Sequence, residues 1–78
     1  MRIISQDGMV NVPYDAIIVQ VEEFATGEYT IKAITFFGRG YMLGDYSSKE
    51  QCLHVMDDIA EKLATGYKVF KMPDDTHK

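Results

Sequence analysis

Ala16-Ile17-Ile18-Val19-Gln20-Val21-Glu22-Glu23-Phe24 is the stretch whose reading decides the fold. Ile17, Val19 and Val21 fall on one side of an extended chain; Ile18, Gln20, Glu22 and Phe24 fall on the other. Alternation with period two, with β-branched residues on the more apolar side, marks a half-buried strand. Ala25-Thr26-Gly27-Glu28 then reads as a turn and Tyr29 to Phe37 as the partner strand. Tyr29, Ile31, Ala33, Thr35 and Phe37 share one face of that partner; Thr30, Lys32, Ile34 and Phe36 share the other. Gly38-Arg39-Gly40 closes the next turn, and Tyr41 to Leu43 begins a third strand of an antiparallel meander.

Upstream, Arg2 to Ser5 and Met9 to Val12 are short β-type runs flanking Gln6-Asp7-Gly8. Asp-Gly supplies the positive φ of a hairpin turn, and Pro13, which has no amide to donate, ends the second run. Downstream, Ser47 and Glu50 fit an S-x-x-E capping box. Cys52, Val55, Met56, Ile59, Ala60 and Leu63 follow at helical spacing, an apolar stripe facing a core. Gly66 stands where a left-handed glycine ends a helix, and Tyr67 to Met72 returns as a last strand before Pro73. The pattern predicts an α+β domain over residues 1–73, with a polar tail at 74–78. Its sheet is mainly antiparallel, with a ββ hairpin, a three-stranded meander and a last short strand. One amphipathic helix packs on one face.

The chain has 78 residues, and 46% of them are hydrophobic. It is one small domain, with no apolar run long enough to span a bilayer. A domain of this size is marginally stable without a disulfide, a metal or a partner. One cysteine, Cys52, excludes an internal disulfide, and no zinc-type Cys/His spacing occurs. The net charge of −4, from 8 basic and 12 acidic residues, argues against a nucleic-acid binder that relies on bulk electrostatics. The opening residues lack the apolar region of a signal peptide, so a cytoplasmic location and no membrane association are expected.

Arg39 between two glycines and among Phe36, Phe37 and Tyr41 has the chemistry to stack on a base or grip a phosphate. The plainer reading, a hairpin loop whose aromatics pair across strands, outweighs it. Glu50, His54 and Asp58 recur every fourth residue, a spacing that can align metal ligands or a proton relay. A solvated helix face explains them better, with Asp58 and Lys62 as an ordinary pair. Together with Asp57 and Glu61 the same face can dock a basic partner. Cys52 lies on the apolar stripe, on a different helix face from His54, and reads as a structural core residue. His77 falls in the tail, and no nucleophile, base and oxyanion donor assemble. The five tyrosines offer contact area at small entropic cost or simply reflect β-propensity.

Met1-Arg2-Ile3-Ile4-Ser5-Gln6-Asp7-Gly8-Met9, followed by Asn11-Val12-Pro13-Tyr14, resembles the start of a family of small uncharacterised proteins of Firmicutes and their phages. Leu43-Gly44-x-Tyr46 before the capped helix, and Gly66 with Phe70-x-Met72-Pro73 after it, extend the resemblance over nearly the whole chain. The family has no established activity, so the resemblance carries over no catalytic residue. It implies a cytoplasmic protein of a Gram-positive bacterium or mobile element.

A helix of about 18 residues, about 27 Å long, covers one face of such a sheet and not both. The expectation is therefore a non-catalytic interaction module without metal or cofactor, completing its burial as a homo-oligomer or against another protein. Candidate contact residues are Phe24, Ile34 and Phe36 on the sheet, Arg39 and Tyr41 at the turn, and His54, Asp57, Asp58 and Glu61 on the helix. An alternative is a phage or mobile-element inhibitor of a host defence protein acting through the acidic helix face. A second is a small ligand-binding protein built on Arg39, Tyr41 and His54.

Overall fold

A computed structural model describes residues 1–75. It has the α+β architecture that the element pattern predicts. The strands are β1 (Arg2–Ile4), β2 (Asn11–Pro13), β3 (Ile17–Glu23), β4 (Tyr29–Thr35), β5 (Gly40–Tyr46) and β6 (Val69–Lys71), with helix α1 (Lys49–Ala64) between β5 and β6.

The strands form two three-stranded sheets, in the orders β2-β1-β6 and β3-β4-β5, where the sequence suggested one. β2 ends on Pro13, and a 3-10 turn over Tyr14–Ala16 breaks the chain before β3. The last strand also lies parallel to β1, not antiparallel, with Ile3 opposite Phe70. Three residues are too few to show an alternation from which that partner could be read.

β4 ends at Thr35, so Phe36 and Phe37 belong to the turn and not to the strand. The Gly38 amide returns to the Thr35 carbonyl, and Thr35 N–H donates to Arg39 O. That is a three-residue hairpin loop needing a left-handed third residue, and Gly38 supplies it with φ +81°. Phe37 is consequently 99% exposed, not on the core face. The expected cross-strand pairing of these aromatics is also absent.

The core is one cluster. Val12, Ile3 and Phe70 form a row across the small sheet. Ile31, Ala33, Leu43 and Tyr46 come from the large sheet, and Cys52, Val55 and Ile59 from α1. This settles the face the helix covers: it is the side carrying Ile31 and Ala33, and α1 lies over β4 and β5. The stripe is shorter than its spacing suggested. Met56 is half-buried, while Ala60 and Leu63 are exposed, because the helix runs past the edge of the core.

The helix begins one residue later than the expected box. Ser48, not Ser47, is the cap, accepting from Gln51 N–H at 3.2 Å. Ser47 instead donates to Asp75 Oδ1 at 3.1 Å. Ser48→Ala should cost about 1 kcal/mol in urea unfolding, while Ser47→Ala should cost clearly less; the reverse order would return the cap to Ser47. At the other end Tyr67 N–H bonds to Lys62 O, and Gly66 N–H to Leu63 O. Gly66 has φ +82°, the left-handed cap that the sequence predicts.

Candidate functional site

Two surfaces could carry function. The first is the face of the large sheet turned away from the helix. Register sets its residues in rows across the strands: Ile18 with Ile34 and Gly40, Gln20 with Lys32 and Met42, Glu22 with Thr30 and Asp45. The far row is polar and internally satisfied, since Thr30 donates to Asp45 at 2.7 Å. Lys32 pairs with Glu22 at 2.8 Å. The near end is apolar. Ile18 is 58% and Met42 56% exposed, Ile34 is half-buried, and Phe36 in the adjoining turn is 78% exposed.

Of the sheet candidates, Ile34 and Phe36 therefore come together. Phe24 does not: it closes the β3–β4 turn, six residues along from Ile18, or about 20 Å of extended strand. Met42 joins the patch and was missed by sequence reasoning. A bulge between Ile31 and Lys32, which absorbs Leu43, sets which residues of β5 point outward. No signal in the sequence marks that bulge.

The second surface is a groove of about 440 Å³ at the joint between the sheets. Asp7, Glu28, Asp45, Asp74 and Asp75 line it, with Gln6 and Tyr46 at its floor. Much of its chemistry is structural. Asp7 Oδ1 accepts from Ser5 Oγ at 2.6 Å and from Met9 N–H at 2.9 Å. The Ser5 hydrogen bond, and then the Met9 amide, hold its carboxyl below the usual range. Asp45 is occupied by Thr30, and Asp75 accepts from Ser47.

Gln6 is the centre of this joint, a role that sequence reasoning missed in treating it as a turn residue. Its main-chain N–H donates to Leu43 O at 2.8 Å. Its side-chain amide copies a strand: Oε1 accepts from Asp45 N–H at 2.8 Å, and Nε2 donates to Asp45 O at 3.2 Å. Nε2 also donates to Pro73 O at 2.9 Å, which receives the Tyr46 hydroxyl at 2.7 Å. Lys71 Nζ donates to Gln6 O at 2.8 Å and to Ser5 O. One residue thus ties β1, β5 and the end of β6 together.

The helix candidates are all exposed. Glu50, His54 and Asp58 do line one shallow depression, with Asp74 on its far side. Among the described residues, however, no group of His, Cys, Asp or Glu side chains is arranged to hold a metal ion. Asp57 and Glu61 lie on the same helix; Asp57 borders a neighbouring dip with Leu53.

At the turn, Arg39 and Tyr41 are separated in role. Arg39 is exposed, and its backbone N–H donates to Thr35 Oγ1 at 3.2 Å. Tyr41 is half-buried opposite Ala33, on the core side of the sheet. Cys52 is fully buried, and burial raises its thiol pKa, as suits a structural residue. His77 lies outside the described residues.

The chain is thus a small α+β domain of two sheets locked by an amide tie, with one open sheet face that is apolar at one end. Among the described residues, no helix is long and apolar enough to cross a membrane. No family model matches the chain, and neither does any curated protein or solved structure.

Proposed function

We propose that this protein is a non-catalytic interaction module that associates with a second copy of itself through the β3–β4–β5 sheet. The observation that carries the reading is the single-sided cover of that sheet. The helix shields one face, and on the other Ile18 and Met42 are exposed and Ile34 is half-buried, with Phe36 exposed in the adjoining turn. A contiguous apolar patch on a small domain marks a contact surface. A second copy supplies the burial that 78 residues lack. Size-exclusion chromatography with light scattering should give a mass above the monomer that rises with concentration. A strict monomer at high micromolar concentration would sink the reading.

A second reading is favoured by the groove and the adjoining helix, where nine acidic side chains, Asp7, Glu28, Asp45, Glu50, Asp57, Asp58, Glu61, Asp74 and Asp75, lie exposed or half-buried. Such a surface suits a basic protein partner and acts mainly on the rate of encounter. With the resemblance to phage and Firmicutes proteins, it fits a mobile-element inhibitor of a host defence protein. Capture from a host lysate with the wild type, and with Asp57, Asp58 and Glu61 neutralised, separates the cases. A nucleic-acid-binding protein retained by the wild type and lost by the variant supports inhibition; equal retention counts against it.

A further inference from the structure

We propose that the open edge of β3 pairs antiparallel with β3 of a second copy, about a two-fold axis at Gln20, to make one six-stranded sheet. This inference rests on the self-association reading and names the edge of β3 as the contact; the apolar patches of the two copies are not buried between them but lie side by side on one surface of the joined sheet.

The two edges of the large sheet are treated in opposite ways. The outer edge of β5 is blocked: Gln6 N–H takes the Leu43 carbonyl, the Gln6 amide brackets Asp45, and a bulge distorts the strand. Folded proteins use such devices to stop strands from pairing with other chains. β3 has neither a blocking hydrogen bond nor a bulge, and its charged residues, Glu22 and Glu23, stand at one end. Its seven residues pair with β4 in unbroken register from Ile17 to Glu23, without proline, lysine or bulge. Among the described residues, no hydrogen bond runs from β3 to anything but β4 and the turn that follows.

The geometry of that edge is self-complementary. Phe24 exchanges its hydrogen bonds with the β4 side, through Glu28 and Gly27. In an antiparallel ladder the bonded residues alternate. Counting back from Phe24, the amides and carbonyls of Glu23, Val21, Val19 and Ile17 point away from β4. With Gln20 on the axis, Val19 meets the partner's Val21 and Ile17 meets the partner's Glu23. About eight backbone bonds form, two for each bonded pair.

Side chains agree with this register. Gln20 faces its own copy, and Ile18 faces the partner's Glu22. Glu22 and Glu23 at one end of β3 are thus kept from their counterparts, whereas sliding the pair to centre on Glu22 would set like charges opposite each other. Ile17, Val19 and Val21 are only half-buried on the core side, while α1 packs chiefly on β4 and β5. The incoming strand covers the flank that the helix leaves open. With the axis normal to the sheet, both helices lie on one side and both apolar patches on the other. Since β5 is blocked, the pairing closes as a dimer and does not propagate.

Two substitutions at Gln20 test the register. A non-bonded antiparallel pair at the axis brings its Cα atoms to about 4.5 Å, within disulfide reach. Gln20→Cys should therefore form a disulfide-linked dimer under mild oxidation, about tenfold faster than Met42→Cys on the same face. The native Cys52 is buried and does not compete. Gln20→Glu gains Lys32 opposite it in its own chain but places like charges at the axis. It should weaken the dimer about fivefold at neutral pH, with circular dichroism unchanged, and acidification below the carboxylate range should restore it. A wild-type dimer whose Gln20→Cys variant crosslinks no faster than Met42→Cys overturns the edge pairing and leaves self-association standing. A wild type that is monomeric at high micromolar concentration overturns both.

Discussion

Tyr46→Ala is expected to lose about 3–5 kcal/mol, against a total stability of about 4–12 kcal/mol for a chain of this length. The ring is 2% exposed and is the largest of the fully enclosed side chains. It sits at the last residue of β5, just before the helix cap, where the two sheets and the C-terminal segment meet. Removing it leaves a cavity and also withdraws the donor to Pro73 O. Tyr46→Phe separates these effects: it keeps the ring and should cost about 1 kcal/mol, because Gln6 still donates to the same carbonyl. Urea unfolding followed by circular dichroism measures both, and equal losses would show that the hydroxyl, not packing, carries the effect. Burial raises the phenol pKa above its ordinary value of 10.0. The associated stability is complete below that pH and is lost as the phenol ionises at higher pH.

Strands β3 and β4 were legible in the sequence because seven residues of alternation over-determine a face. The helix was legible in its stripe and its Gly66 stop, and misplaced by one residue at its start because Ser47 and Ser48 are both good caps. Each is followed three residues later by Glu or Gln, so the box alone cannot choose. The division into two sheets, the parallel β1–β6 pair and the joint at Gln6 were not legible. They depend on contacts between residues far apart in the chain, as when Gln6 reaches Asp45 and Pro73. A single glutamine in a turn carries no pattern of its own.

The site was legible in its materials and not in its assembly. Ile34 lies on the open face with Phe36 exposed in the turn beside it, but Phe24 is displaced along the strand and Met42 enters through a bulge. The acidic residues of the helix were visible as a run. Their continuation through Asp74 into a groove with Asp7, Glu28 and Asp45 follows from the tertiary fold alone. The edge of β3 could be read as a strand, but its being an edge, and the blocking of its counterpart on β5, come only from the topology.

Gly44→Val is expected to cost about 3 kcal/mol or to prevent folding. Gly44 is buried on β5, and a Cβ built there would stand 3.0 Å from Gln6 Cδ, Tyr46 Cε2 and the Tyr46 hydroxyl. Its backbone is not in the left-handed region, so the requirement for glycine is one of space. Neither neighbour can easily give way, because Gln6 is fixed by its bonds to Asp45 and Pro73, and Tyr46 by the core and the same Pro73 carbonyl. The stretches around Gln6, Gly44-x-Tyr46 and Met72-Pro73 converge on this joint. Their chemistry there is structural: they lock one sheet to the other. Combining Gly44→Val with Gln6→Ala should return part of the loss, since the smaller side chain vacates one of the crowded contacts, and the two changes should be non-additive in a double-mutant cycle. Strict additivity would show that Gly44 and Gln6 do not share the joint.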